Sequence, residues 1–126
     1  MLQHIGLPLW AVTINPSPNK LINKKRWQSY PANRQEEILS RVITQLTLKN
    51  PSISLLEHHF EKCPSNGQIH VHAIFECTLE WISTIENWIS HSIEWKDDKS
   101  IPRWRHLVID PIYNRLGWEA YIRKDQ

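Results

Sequence analysis

The run Gln68-Ile69-His70-Val71-His72-Ala73-Ile74-Phe75-Glu76 constrains this chain more than any other stretch. Polar and apolar residues alternate through its first five positions, the period of a half-buried β-strand. Side chains on a strand point alternately to opposite faces. His70 and His72 therefore share one face, with Cα atoms roughly 6.5 Å apart, while Ile69, Val71 and Ala73 turn toward a core. Two imidazoles side by side on a rigid strand can grip one metal ion, because imidazole is the commonest metal ligand. A histidine pair on a solvated sheet face has the same pattern, and the pair alone does not separate the two readings.

The residues across the predicted hairpin add a third group. Residues 53–62 read as the preceding strand, with Ile53, Leu55, Glu57, His59 and Glu61 on one face. Pro64-Ser65-Asn66-Gly67 supplies turn chemistry. With Ser65 and Asn66 as the loop of a tight hairpin, Glu61 falls opposite His70, and His59 opposite His72. Directly opposed residues share a face and have Cβ atoms only about 4.5–5.5 Å apart. A carboxylate and two imidazoles then converge with coordination positions left open, as a catalytic metal requires. A one-residue slip would turn Glu61 away. Glu57 is the second candidate carboxylate, further down the ladder. A zinc set drawn from Cys63, His58, His59, His70 and His72 has no C-x-x-C or finger spacing. Two His and one Glu with open positions suit Mg²⁺ or Mn²⁺ where a substrate supplies phosphate oxygens.

The rest of the chain predicts a frame for this hairpin. Residues 9–15 read as a first strand, with Trp10, Val12 and Ile14 on one face and Ala11, Thr13 and Asn15 on the other; the prolines of Asn15-Pro16-Ser17-Pro18-Asn19 end it. A basic loop follows, carrying Lys20, Lys24, Lys25 and Arg26 and then Trp27. It can track a phosphate backbone with the indole offered to a base, or it is a solvated loop with one tucked-in tryptophan. Asn33-x-x-Glu36 resembles a capping box before a helix whose apolar face is Leu39, Val42, Ile43 and Leu46, ended by Asn50-Pro51. Thr78 can cap a second helix that buries Trp81, Ile82, Ile85, Trp88 and Ile89. Residues 94–103 form a charged connection, and Arg103, Trp104 and Arg105 are a weak nucleic-acid signal. A strand at 106–109 is ended by Asp110-Pro111. A helix at 114–126 carries Gly117 in its first turn and places Lys124 beside Tyr121, a pairing that is ordinary on any helix surface. The order β-α-β-β-α-β-α predicts one α+β domain over residues 1–126, a central antiparallel sheet with packed helices.

Composition narrows the function classes. With glycine only at 6, 67 and 117, no G-x-x-x-x-G-K-S/T loop exists, so no P-loop ATPase or helicase is encoded in these residues. A net charge of +2 permits a nucleic-acid partner without demanding one. No apolar run reaches membrane-spanning length and no signal peptide is expected before the first strand. Cys63 and Cys77 fall near opposite ends of the hairpin, too far apart for a bridge, which fits a reducing, intracellular setting.

Three segments stand in a recognisable order: Val12-Thr13-Ile14-Asn15-Pro16, then His70-Val71-His72 with a carboxylate across the hairpin, then Tyr121-Ile122-Arg123-Lys124. Together they resemble the three motifs of the HUH endonucleases, specifically the Rep initiators of rolling-circle replication in small circular single-stranded DNA viruses and plasmids. The resemblance implies a ferredoxin-like sheet. It implies a divalent cation, Mn²⁺ or Mg²⁺, on Glu61, His70 and His72, although it does not itself separate Glu61 from Glu57. It implies Tyr121 as the nucleophile, assisted by Lys124, with Thr13 and Asn15 holding DNA. Only one tyrosine fits the helix motif; Tyr113 precedes it. The implied partner is single-stranded DNA at an origin stem-loop, in a host nucleus or a prokaryotic cytoplasm. Without a P-loop the chain is either the excised nuclease domain of a longer initiator with a helicase behind it or a naturally short protein, and its end just past the third motif favours the first as an expectation. Two other readings stay open: an RRM-like binding module without chemistry, which would show exposed aromatics on its central strands, and a transposase or relaxase of the same HUH superfamily.

Overall fold

The computed structural model describes residues 7–18, 20–92 and 107–112. Along the chain run β1 (Leu9–Ile14), β2 (Leu21–Ile22), β3 (Lys25–Arg26), α1 (Ala32–Lys49), β4 (Ser54–Lys62), β5 (Ile69–Glu76), α2 (Ile82–Ser92) and β6 (Leu107–Pro111). The four longer strands form one antiparallel sheet in the order β4-β5-β1-β6. β4 thus runs parallel to β1 with β5 between them, the α+β arrangement of ferredoxin-like folds. The expected helix over 114–126 and the connection at 94–103 lie outside the described residues.

One face of the sheet is apolar by alternation and the helices cover it. Val12, Ile14, Val71, Ala73 and Phe75 form a single buried cluster with Leu39, Val42, Ile43 and Leu46 of α1 and with Ile85 and Ile89 of α2. Each fully buried aliphatic or Phe side chain contributes about 1.5–3 kcal/mol relative to exposure, so this cluster dominates stability. Trp10, Trp81, Ile82 and Trp88 pack around its edge. The Trp88 indole donates to the Val42 carbonyl at 3.0 Å, tying α2 to α1.

β4 departs from the single face expected for Ile53, Leu55, Glu57, His59 and Glu61. Leu55 pairs with Phe75, but Glu57 pairs with Ile74, so Leu56 is an extra residue in the ladder. This β-bulge switches faces within the strand. Leu55 stays on the core side with Phe75, while Glu57, His59 and Glu61 lie on the opposite side with His72 and His70. Strict alternation would force either the leucine out of the core or the carboxylates into it. One extra residue satisfies both halves of the strand.

The β4–β5 turn is also wider than a two-residue loop. The Cys63 amide donates to the Gln68 carbonyl at 2.8 Å and its carbonyl accepts from the Gly67 amide at 2.8 Å. Gly67, at φ +71°, is the left-handed residue that closes the loop Pro64-Ser65-Asn66. Cys63 thereby faces both Gly67 and Gln68, and the ladder beyond it keeps the expected register. The thiols of Cys63 and Cys77 are both free, as their positions at opposite ends of the hairpin require.

Helix α1 begins earlier than the Asn33-x-x-Glu36 pattern suggests. Pro31 holds the cap position in extended conformation, and its carbonyl accepts from the Arg34 and Gln35 amides at 2.9 and 3.0 Å. No side chain caps this end. Thr78 precedes a 3-10 turn (Leu79–Trp81) rather than α2 itself, and its hydroxyl donates to Glu80 at 3.0 Å instead of accepting from the backbone. The basic segment is not a loop but a small β2–β3 hairpin, with Asn23 and Lys24 at φ 53° and 68°, the left-handed pair of a two-residue turn. Trp27 is fully buried in the core, so its indole is not offered for stacking.

Gln35 joins these parts. Its side chain is buried and donates to the Trp27 carbonyl and the Gln68 side chain, both at 2.8 Å, while accepting from the Ile69 amide at 2.9 Å. It therefore satisfies the first amide of β5 from inside α1. Replacing Gln35 with Leu leaves the buried Ile69 amide without that partner, a cost of about 1–3 kcal/mol, while the Trp27 carbonyl keeps the Tyr30 amide at 3.2 Å. We expect Gln35→Leu to lower the urea unfolding free energy by about 1–3 kcal/mol in equilibrium denaturation.

Candidate metal centre

The face of the sheet away from the helices carries the polar side chains. In the β4–β5 ladder Glu61 pairs with His70 and His59 with His72, while β1 sets Thr13 opposite His72 from the other side. This is the register that the turn chemistry predicted. Glu61 Oε2 lies 3.0 Å from His72 Nε2 and 3.5 Å from His70 Nε2. The two imidazole rings are edge to face, with centroids 4.9 Å apart. One ligand atom from each of the three residues falls within 4.8 Å of the others, and the group can hold one metal ion. Ligands about 2.1–2.2 Å from a shared ion lie roughly 3.0–3.6 Å apart, and the two carboxylate–imidazole distances match.

The surroundings suit imidazole ligands. Side-chain exposure is 12% for His70, 18% for His72 and 28% for Glu61, so the group is sheltered yet reachable. Burial pushes the His70 pKa down, the neighbouring His72 adds to this, and Glu61 opposes it. A neutral ring is the form that ligates. His70 Nδ1 is buried without a hydrogen-bond partner among the described residues. His72 differs, since its Nδ1 shares a 3.1 Å hydrogen bond with the Thr13 hydroxyl.

The second carboxylate has another partner. Glu57 Oε1 lies 2.6 Å from His59 Nε2, next along the same face and outside the three-residue group. Glu61 is thus the carboxylate that meets both histidines. Asn15 follows β1 and is half-buried. Of the basic residues expected to meet DNA, Lys24, Lys25 and Arg26 are exposed on the small hairpin, whereas Lys20 is 5% exposed, so phosphate contact from this segment falls to the first three. The Lys25 ammonium lies 5.9 Å from the Tyr30 ring, whose hydroxyl donates to the Ile22 carbonyl at 2.8 Å and anchors the hairpin. Arg103, Arg105, Tyr121 and Lys124 lie outside the described residues.

The Thr13–His72 contact was not foreseen as such. Alternation in β1 puts Thr13 on the polar face, but only the strand order β5-β1 shows which histidine it meets. No family model, curated protein or solved structure matches this chain.

Two outcomes follow. Glu61→Gln weakens Mn²⁺ binding by at least about 100-fold in calorimetric titration, beyond the usual effect of a ligand's own partner, while Glu57→Gln stays within about threefold. The second concerns acid. Because His70 resists protonation when folded, the unfolded chain takes up that proton first. Its contribution to stability is complete above about pH 6.5 and is lost as the pH falls below that value. Urea midpoints of the metal-free protein drop across this range, and His70→Gln removes part of the slope.

Proposed function

We propose that this protein is a metal-dependent, single-tyrosine endonuclease of the HUH type, which nicks and rejoins single-stranded DNA at a replication origin. The observation that carries the reading is the meeting of Glu61, His70 and His72 on the sheet face opposite α1 and α2. Two strand imidazoles and one facing carboxylate leave coordination positions open to a substrate, which structural zinc sites do not. The donor set is oxygen and nitrogen without thiolate, and with phosphate oxygens completing the shell it favours Mn²⁺ or Mg²⁺. Exposed Lys24, Lys25 and Arg26 add charge for a DNA backbone. The described face presents histidines and carboxylates where an RRM would present aromatics, and Phe75 is buried on the other side, which favours an enzyme over a binding module.

Tyr121 and Lys124 enter this reading through the Tyr-x-x-Lys pattern of the sequence. A phenol has a pKa near 10 and is a poor nucleophile unaided. The positive charge of Lys124, one helical turn away in the expected helix, favours the phenolate. Glu61, His70 and His72 would hold a divalent cation, which when bound would supply positive charge against the oxygens of the scissile phosphate. Tyr121 attacks phosphorus; the bond from its oxygen to phosphorus forms as the bond to the 3′ oxygen breaks. The phenolic proton is lost to solvent, and the departing 3′ oxygen takes one up. The DNA 5′ side remains as a phosphotyrosine ester beside a free 3′ hydroxyl. One phosphodiester replaces another, so a later 3′ hydroxyl reverses the step and joins strands.

The test is a covalent-adduct assay with labelled single-stranded DNA from a randomised library and Mn²⁺. A denaturant-resistant protein–DNA band is expected, suppressed by EDTA and absent in Tyr121→Phe, which keeps DNA binding. An adduct of undiminished yield in Tyr121→Phe overturns the nucleophile, and no adduct from any library member overturns the nuclease.

A further inference from the structure

We infer that Thr13 is a positioning residue for the metal ligand His72, holding its ring so that Nε2 is presented to the ion. The inference rests on the reading of Glu61, His70 and His72 as a metal centre, and goes beyond it by dividing the two histidines into unlike ligands.

The geometry is specific to one ring. Thr13 lies in β1, between β5 and β6, and pairs directly with His72. Its hydroxyl oxygen is 3.1 Å from His72 Nδ1, while Glu61 Oε2 is 3.0 Å from Nε2 of the same ring. His72 is therefore held at both nitrogens, which leaves the imidazole one orientation. His70 has Glu61 at 3.5 Å on one nitrogen and finds no partner for the buried Nδ1 among the described residues.

The chemistry explains why a hydroxyl serves here. Without metal, a neutral His72 donates from Nε2–H to the Glu61 carboxylate, and Nδ1 accepts from the threonine. With metal, Nε2 must offer its lone pair, so the ring's proton sits on Nδ1 and needs an acceptor. A hydroxyl both donates and accepts, and rotates between the roles. A backbone carbonyl could serve only the loaded state and an amide only the metal-free one. The ring keeps one proton throughout, carried on a different nitrogen. For His70 the same exchange puts an N–H at the unpartnered Nδ1, so His72 is the anchoring ligand and His70 the weaker one. The hydroxyl of Thr13 is thereby directed at the ligand rather than at DNA. Partners of this kind hold a ligating histidine's tautomer and typically change metal affinity 10–100-fold.

The experiment compares wild type, Thr13→Val and Thr13→Ser. Mn²⁺ affinity is measured by calorimetry, and imidazole ¹⁵N spectra are recorded without metal and with Zn²⁺ as a diamagnetic probe. Valine has the shape of threonine without the hydroxyl; it is expected to weaken Mn²⁺ about 10–100-fold, and serine to restore binding to within about threefold. In the wild type the His72 proton is expected on Nε2 without metal and on Nδ1 with Zn²⁺. Wild-type affinity in Thr13→Val, failure of serine to restore it, or Zn²⁺ bound through Nδ1 overturns the positioning role while the metal centre stands. A wild-type protein that binds neither ion removes the metal centre itself. The spectra of the wild type decide the matter even if Thr13→Val does not fold.

Discussion

The β4–β5 ladder is the constraint on which the rest of this structure depends. Its register sets Glu61 against His70 and His59 against His72, and a one-residue slip would carry every one of these side chains to the other face. Two local devices secure it. At the turn, Gly67 takes a backbone conformation that other residues seldom adopt, and Cys63 is bonded to both Gly67 and Gln68. At the far end the extra residue Leu56 lets the strand return its leucine to the core. Between them the polar face runs over a stretch in which alternation holds without interruption.

The core and the polar face are two consequences of the same strands. Val71 and Ala73 bury against the helices because His70 and His72 do not, and the helix cluster fixes the plane from which the histidines project. Gln35 couples the two sides, because a buried amide on α1 satisfies the first amide of β5 just before His70. A change far from the ligands, at Gln35 or Trp27, therefore reaches the metal face through the backbone of β5 rather than through charge.

Much of this was legible from alternation and turn chemistry. The β5 pattern, the opposition of Glu61 and His70, the shared face of Val12 and Ile14, and the order of the four sheet strands and two helices through β6 follow from local periodicity and turn chemistry; the short β2–β3 hairpin does not, because its basic run reads as a loop. The bulge at Leu56 was not legible, because period-2 counting has no term for an inserted residue; only the conflict between Leu55 and Glu57 on one face hinted at it. The starts of the helices were misplaced for a similar reason. Asn33 and Thr78 carry capping side chains, but Pro31 ends the extended segment first and Glu80 captures the threonine hydroxyl. Trp27 follows a basic run, which leaves base stacking and burial both open on sequence, and its large apolar surface fills the core. Tertiary burial outweighed local context at that position. The choice between Glu61 and Glu57 rested on pairing distance, and the close contact of Glu57 with His59 gives it an independent physical reason.

The central claim is that Glu61, His70 and His72 share one divalent cation. Crystals grown with Mn²⁺ and measured at an energy where manganese scatters anomalously test it most directly. A single strong peak is expected about 2.0–2.3 Å from one Glu61 carboxylate oxygen and from Nε2 of both histidines, with further positions filled by water or phosphate oxygen. A peak at Glu57 and His59 instead, or no peak on this face at saturating Mn²⁺, would contradict it.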